Sequence, residues 1–241
     1  MRKALEIGGI VAAVVLIAFG IAAIVLAFNG RDTISSELKT QQITGTPDMA
    51  SDSAAIAAEV KAITASQDAL VKKFQAAGGT FTPSPVKVPG CSVAGDQVDD
   101  GDSARCFAQY MFTHAMAATG GLVYSQMGRY VAKPGAPFKA TDGNGGTSDP
   151  KYAVTDPTTK QPVSNGARNL WIDQVALSTA LNSSYMASQL SLFGLVVGIA
   201  LLLAGIGFGI LAVGGALRNP DRLLGLGKGE KPAAAPETPP S

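Results

Sequence analysis

The residues with chemistry to offer are one histidine, two cysteines and a short run of aspartates. His114 stands in "QYMFTHAMAAT", among Phe112, Met116 and other apolar residues. Imidazole is a common general base and metal ligand near neutral pH. A lone histidine, however, cannot build a His-rich metal site. A nucleophile paired with it, a serine or Cys106, would want an elbow such as G-x-S-x-G, and none is present. His114 therefore reads as a packed or half-exposed helix residue. Asp96, Asp99, Asp100 and Asp102 invite a calcium reading, since calcium takes several oxygen ligands from one flexible loop. The D-x-[DN]-x-[DN]-G order with a later Glu is missing there, and also in "DGNGGTSD" at 142–149. These are expected to be solvated loop carboxylates. No catalytic, cofactor-binding or metal-ligating set is expected, and the chain does not read as an enzyme.

The strongest pattern is one of small residues. Gly194, Gly198, Gly205 and Gly209 are spaced 4, 7 and 4. At 100° per residue they fall within about 60° of one another on a helix. An earlier apolar run carries a weaker matching stripe, Gly9, Ala13, Gly20 and Ala27. Small-xxx-small faces let helices approach closely in lipid, where burying apolar surface against another helix gains nothing. These eight residues are expected to form helix-packing faces, toward the other span or toward a homo-oligomeric or other membrane-protein partner.

The elements that must position them follow from hydropathy. Ile7 to Phe28 carries no charge, and neither does the stretch from Gln174 to Leu217, apolar from about Leu190. A bilayer core needs roughly 20 apolar helical residues, so both runs are long enough to span. Arg2, Lys3 and the small residues Val25 and Ala27 would also suit a signal peptide. The first run is nevertheless longer than the usual apolar core of about 7–15 residues, so an uncleaved anchor is expected. Neither span holds an ionisable residue of the kind that marks a proton or ion path, which argues against a transporter.

Basic residues set orientation. Arg2 and Lys3 precede the first span, and Arg218, Arg222, Lys228 and Lys231 follow the second. Gln174 to Gln189 has none. Both termini are expected in the cytoplasm and residues 29–189 outside the plasma membrane. That segment holds 13 Lys/Arg and 14 Asp/Glu. Its near-neutrality argues against nucleic acid, which needs a basic surface. Cys91 and Cys106 both lie in it, and an even count in an oxidising compartment predicts a disulfide.

The expected organisation is a cytoplasmic N-terminus (1–6), a first transmembrane helix (7–28), an extracytoplasmic domain (29–189), a second transmembrane helix (190–217) and a disordered Pro/Ala-rich tail (218–241). The fold class is a mainly α membrane protein. It comprises a transmembrane helical hairpin, a mostly helical outer domain and a small β-hairpin around "DPTT". Ile56, Val60, Ile63, Leu70 and Phe74, with Gln67 at the odd position, predict an amphipathic helix that begins near Thr46-Pro47 and ends at Gly78-Gly79. A second helix is expected over "SARCFAQYMFTHAMAAT" and a strand in "LVYSQMGRYV". "KPGAPFKATDGNGGTSDP" reads as exposed loop. A long helix should start near Ala167 and continue into the second span. Its outer half places Trp171 too far from the boundary for an interfacial belt, so Trp171 is expected in the outer core and Tyr185 at the interface.

"RKALEIGGIVAAVVLIAFGIAAIVLAFNGRDTISSELKTQQITGTPDM" and "ARNLWIDQVALSTALNSSYMASQLSLFGLVVGIALLLAGIGF", with the approach "DPTTKQPVSNGARN", resemble a group of uncharacterised actinobacterial two-span membrane proteins. The resemblance implies a plasma-membrane protein with an extracytoplasmic loop. Some members are labelled aromatic ring-opening dioxygenases. That label implies a non-haem iron held by two His and a carboxylate, and this chain has one His.

The leading expectation is a non-enzymatic interaction or scaffold module. A two-span sensor or ligand-binding accessory subunit comes second, with its pocket shaped by the loops around Cys91–Cys106 and Pro134–Pro150, and an enzyme third. The lipid bilayer is the expected partner. No cofactor is expected.

Overall fold

A computed structural model describes residues 2–138, 141 and 146–214. The last residues of the second apolar run (215–217), the tail (218–241) and much of the 142–149 loop lie outside the described residues. Four α-helices dominate: α1 (Arg2–Thr40), α2 (Ala54–Ala76), α3 (Gly101–Ala118) and α4 (Gly166–Val213). Two helices, α1 and α4, are long and apolar enough to cross a membrane. The chain divides into two compact units. One is built from the described residues of Met1–Phe28 and Phe193–Ser241, the other from Asn29–Leu192.

In the first unit α1 and α4 pack antiparallel. Gly20 lies against Gly198 and Leu202, and Gly205 lies against Ala13 and Ile17. The approach is too close for side chains. A Cβ on Gly198 would stand 2.8 Å from Ile24 Cγ1 and 3.0 Å from the Gly20 carbonyl oxygen. A Cβ on Gly205 would stand 2.9 Å from the Ile17 nitrogen. Gly194 and Gly209 face the Ala27 and Ala13 methyls at ordinary contact distance. Gly9, Ala13, Gly20 and Ala27 are all buried. Gly20, Ala13 and Ala27 of α1 thus face Gly194, Gly198, Gly205 and Gly209 of α4 within the chain.

The second unit has an ordinary side-chain core. One cluster joins Leu38 of α1, Ile56 of α2, Phe107 and Tyr110 of α3 and Leu181 of α4 with Met49, Val93 and Val98 from the loops. The other joins Ile63 and Leu70 of α2, Met116 of α3 and Trp171 of α4 with Leu122 and Met127. Trp171 packs edge-on to Phe112, with ring centroids 5.8 Å apart. Gln67, the odd member of the α2 stripe, is buried. It is satisfied because its amide donates to the carbonyls of Ser84 (3.0 Å) and Gly121 (2.9 Å).

Three local expectations need correction. Thr46-Pro47 does not open α2. Residues 46–53 form successive turns that bury Met49, and Ser53 is the N-cap, its hydroxyl accepting from the Ile56 N–H. Proline suited a first turn, but the apolar demand of Met49 and the better cap three residues from Ile56 prevailed. "LVYSQMGRYV" is a 3-10 turn at Tyr124–Gln126 followed by only two strand residues, β1 (Tyr130–Val131). β1 pairs antiparallel with β2 (Gly146–Thr147), so these two residues, expected in an exposed loop, are buried in a ladder. A Thr155–Pro162 bridge closes the turn at "DPTT", where the Asp156 carboxylate accepts from the Thr158 and Thr159 N–H groups and is held below its usual pKa, chiefly by Thr159.

Candidate functional site

The polar groups of the second unit gather in three places. The first is His114, on α3. Its Nε2 lies 3.2 Å from an Asp48 carboxylate oxygen and its Nδ1 lies 3.0 Å from one of Glu59. Asp48 comes from the turns before α2 and Glu59 from α2 itself, so the ring ties three segments together. Asp48 is held below the usual carboxylate range, first by the Thr46 hydroxyl, then by its own backbone N–H and the nearby His114. Both ring nitrogens can donate at once only as imidazolium. Each ring nitrogen thus faces a carboxylate. Asp48 and Glu59 were out of reach of sequence reasoning, because periodicity does not report a pairing such as Glu59 with His114, 55 residues apart, or the still longer one with Asp48.

The second is the Cys91–Cys106 pair, which stands at disulfide distance with Cα atoms 5.9 Å apart. It joins the loop before α3 to the second turn of α3. The Tyr110 hydroxyl donates to the Cys91 carbonyl at 2.7 Å. Burial, and then the charges of Asp48 and Asp52, push the Tyr110 pKa up, so it stays a donor. Two of the neighbouring aspartates have partners. Asp99 pairs with Lys39 at 3.6 Å. Asp100 caps α3, accepting from the Ser103 N–H at 2.7 Å, while the Ser103 hydroxyl reaches back to the Asp100 N–H in a capping box. That backbone bond is the main reason the Asp100 pKa is lowered.

The third is a set of clefts. An apolar groove of about 280 Å³ runs between α3 and α4, lined by Met111, Leu170 and Leu177 together with His114 and Asp173. A larger cleft of about 500 Å³ lies between α3, α4 and the segment 85–89, and Lys87, Arg105 and several amides line it. The Arg105 guanidinium stacks over the Tyr185 ring at 4.5 Å. Tyr185, expected at the membrane interface, is therefore engaged within the second unit.

No protein-family model, curated protein or solved structure matches the chain.

Proposed function

We propose that this is a two-span plasma-membrane protein with both termini in the cytoplasm, which presents residues 29–189 outside as a non-enzymatic interaction module. The observation that carries this reading is the surface of the first unit. Phe19 is 65% exposed, Leu26 71%, Phe193 64% and Leu203 62%, around helices whose contact is made by glycine and alanine. Water would not tolerate so large an apolar patch, whereas lipid would cover it at no cost. The positive charges at both chain ends support the orientation.

A second reading, a ligand-binding accessory subunit of the same topology, is favoured by the 500 Å³ cleft, which lies within the size range of small-molecule sites. An enzyme finds less support. Both nitrogens of His114 face carboxylates. The iron that a dioxygenase would need finds no two-histidine set in a chain with one histidine. Reporter fusions test the topology: fusions after residue 241 should be active only inside the cell and insertions near Asp156 only outside. An outward-facing C-terminus would overturn the reading.

A further inference from the structure

From Gln174 to Gln189, α4 is polar yet uncharged, and part of that polarity is ordered. Gln174, Ser178 and Asn182 recur every fourth residue on one face. Arg105, Gln109 and Thr113 do the same on α3. The helices run antiparallel. Arg105 meets Tyr185 near one end and Phe112 meets Trp171 near the other, which sets Arg105 toward Asn182 and Thr113 toward Gln174. The two ladders line opposite walls of the 500 Å³ cleft. The third wall is the segment 85–89, which contributes Lys87 and in which Pro85 and Pro89 each have φ fixed by the ring.

We infer that this cleft binds a small polyhydroxylated anion, a sugar acid or a sugar phosphate. Two cations and no acidic residue line it, and among the described residues no carboxylate pairs with either cation. A guanidinium stacked on an aromatic ring keeps its N–H edge free for a carboxylate or phosphate. Three side-chain amides, those of Gln109, Gln174 and Asn182, each offer a donor beside an acceptor, the pattern that adjacent hydroxyls satisfy. Among the described residues, Gln174 Nε2 donates to Ser178 Oγ at 2.6 Å, joining two of the lining side chains. Phe112, Val86 and Ala108 supply an apolar floor for the C–H face of a sugar ring. A wholly apolar ligand would leave the amides unpaired, at a cost for each. The cleft is also pre-organised. Cys106 adjoins Arg105, and Cys91 follows the Lys87 segment, so the cystine and the Tyr110–Cys91 hydrogen bond hold the two cations' supports together.

This assignment deepens the ligand-binding reading and does not depend on the membrane orientation. It is tested by calorimetry on the full-length, oxidised chain in nanodiscs, with D-glucuronate, glucose 6-phosphate and D-glucose as probes. At least one of the two anions should bind saturably with Kd near or below about 1 mM. Glucose should bind at least about tenfold more weakly. Preference between the anions tells carboxylate from phosphate. Lys87→Gln and Arg105→Gln should each weaken binding by about tenfold; melting should be unchanged for Lys87→Gln, whose side chain is exposed, and fall slightly for Arg105→Gln, which loses its stack on Tyr185. Asn182→Ala should weaken it less, and reduction of the disulfide should weaken it in the wild type. The assignment is overturned if neither anion binds at about ten times that concentration, if glucose binds as tightly, or if both cation variants bind like wild type. Correct reporter topology without anion binding would sink this site alone. Anion binding with inverted topology would sink only the membrane orientation.

Discussion

The same two helices pack by different physics in the two units. In the first, α1 and α4 meet through Gly20, Gly198 and Gly205, and their large side chains point away from the contact. In the second, their continuations contribute Leu38, Leu181 and Trp171 to a side-chain core shared with α2 and α3. The change follows from what each unit can gain. In the proposed membrane setting of the first unit, apolar side chains are already surrounded by lipid and gain nothing by meeting, so backbone proximity and dispersion must hold the helices. In water, burial of large side chains is the main driving force, and close backbone contact is not needed. Glycine thus signals a helix contact in one unit, while leucine and aromatic residues signal it in the other.

The sharpest way to break this contrast is Gly198→Leu combined with Gly205→Leu. Each new side chain would have to enter space held by the Ile24 or Ile17 side chain and by backbone. A loss of at least about 3 kcal/mol is expected from overpacking, seen as a large fall in melting temperature in detergent. Gly207→Leu is the matched control, because a Cβ there meets nothing within 4 Å, and it should change little. If the double variant melts like the control, packing by close approach is wrong.

The second unit should respond instead to its cross-link. Replacing Cys91 and Cys106 by Ser removes a bridge across a sequence separation of 15. That should cost about 3 kcal/mol in the chain-entropy account. Urea unfolding followed by Trp171 fluorescence reads the second unit, where that tryptophan is buried. An unchanged midpoint would mean that the apolar clusters alone stabilise this unit.

The smallest effect tests the capping of α3. Asp100→Ala should cost about 1 kcal/mol at neutral pH, typical of a lost N-cap. The Asp100 carboxyl is held below its ordinary pKa, mainly by the Ser103 N–H. Its contribution is therefore present above the unfolded value of about 3.9 and is lost as pH falls through the lower folded value. Wild type and variant should converge in acid. A gap that persists there would assign the loss to something other than the charge.

Much of the architecture was legible because it rests on local periodicity. The apolar stripe of α2 named Ile56, Ile63 and Leu70, all of which are buried. Gln67 stood out as a break in that stripe, but that it feeds two carbonyls depends on loops 17 and 54 residues away. The opening of α2 was misplaced for a related reason. Thr46-Pro47 satisfies the local rule for a helix start, while the burial of Met49 is settled by α1, α3 and the cystine loop. Of the polar groups, only the cysteine pair was predictable, from an even count in a segment expected outside the cell. The His114 ties and the Lys87–Arg105 cleft join residues from separate segments, and no spacing rule reports them.

By itself the sequence determined the two long apolar helices, their small-residue faces and the amphipathic α2, because hydropathy and helical period act residue by residue along one element. Only the tertiary structure decided that the glycine faces meet within the chain, that His114 lies between Asp48 and Glu59, and that the uncharged polar ladder of α4 faces Arg105 and Gln109. These outcomes depend on which segments become neighbours. That is set by the packing of all the elements together, since each must bury its apolar surface and satisfy its polar groups at once.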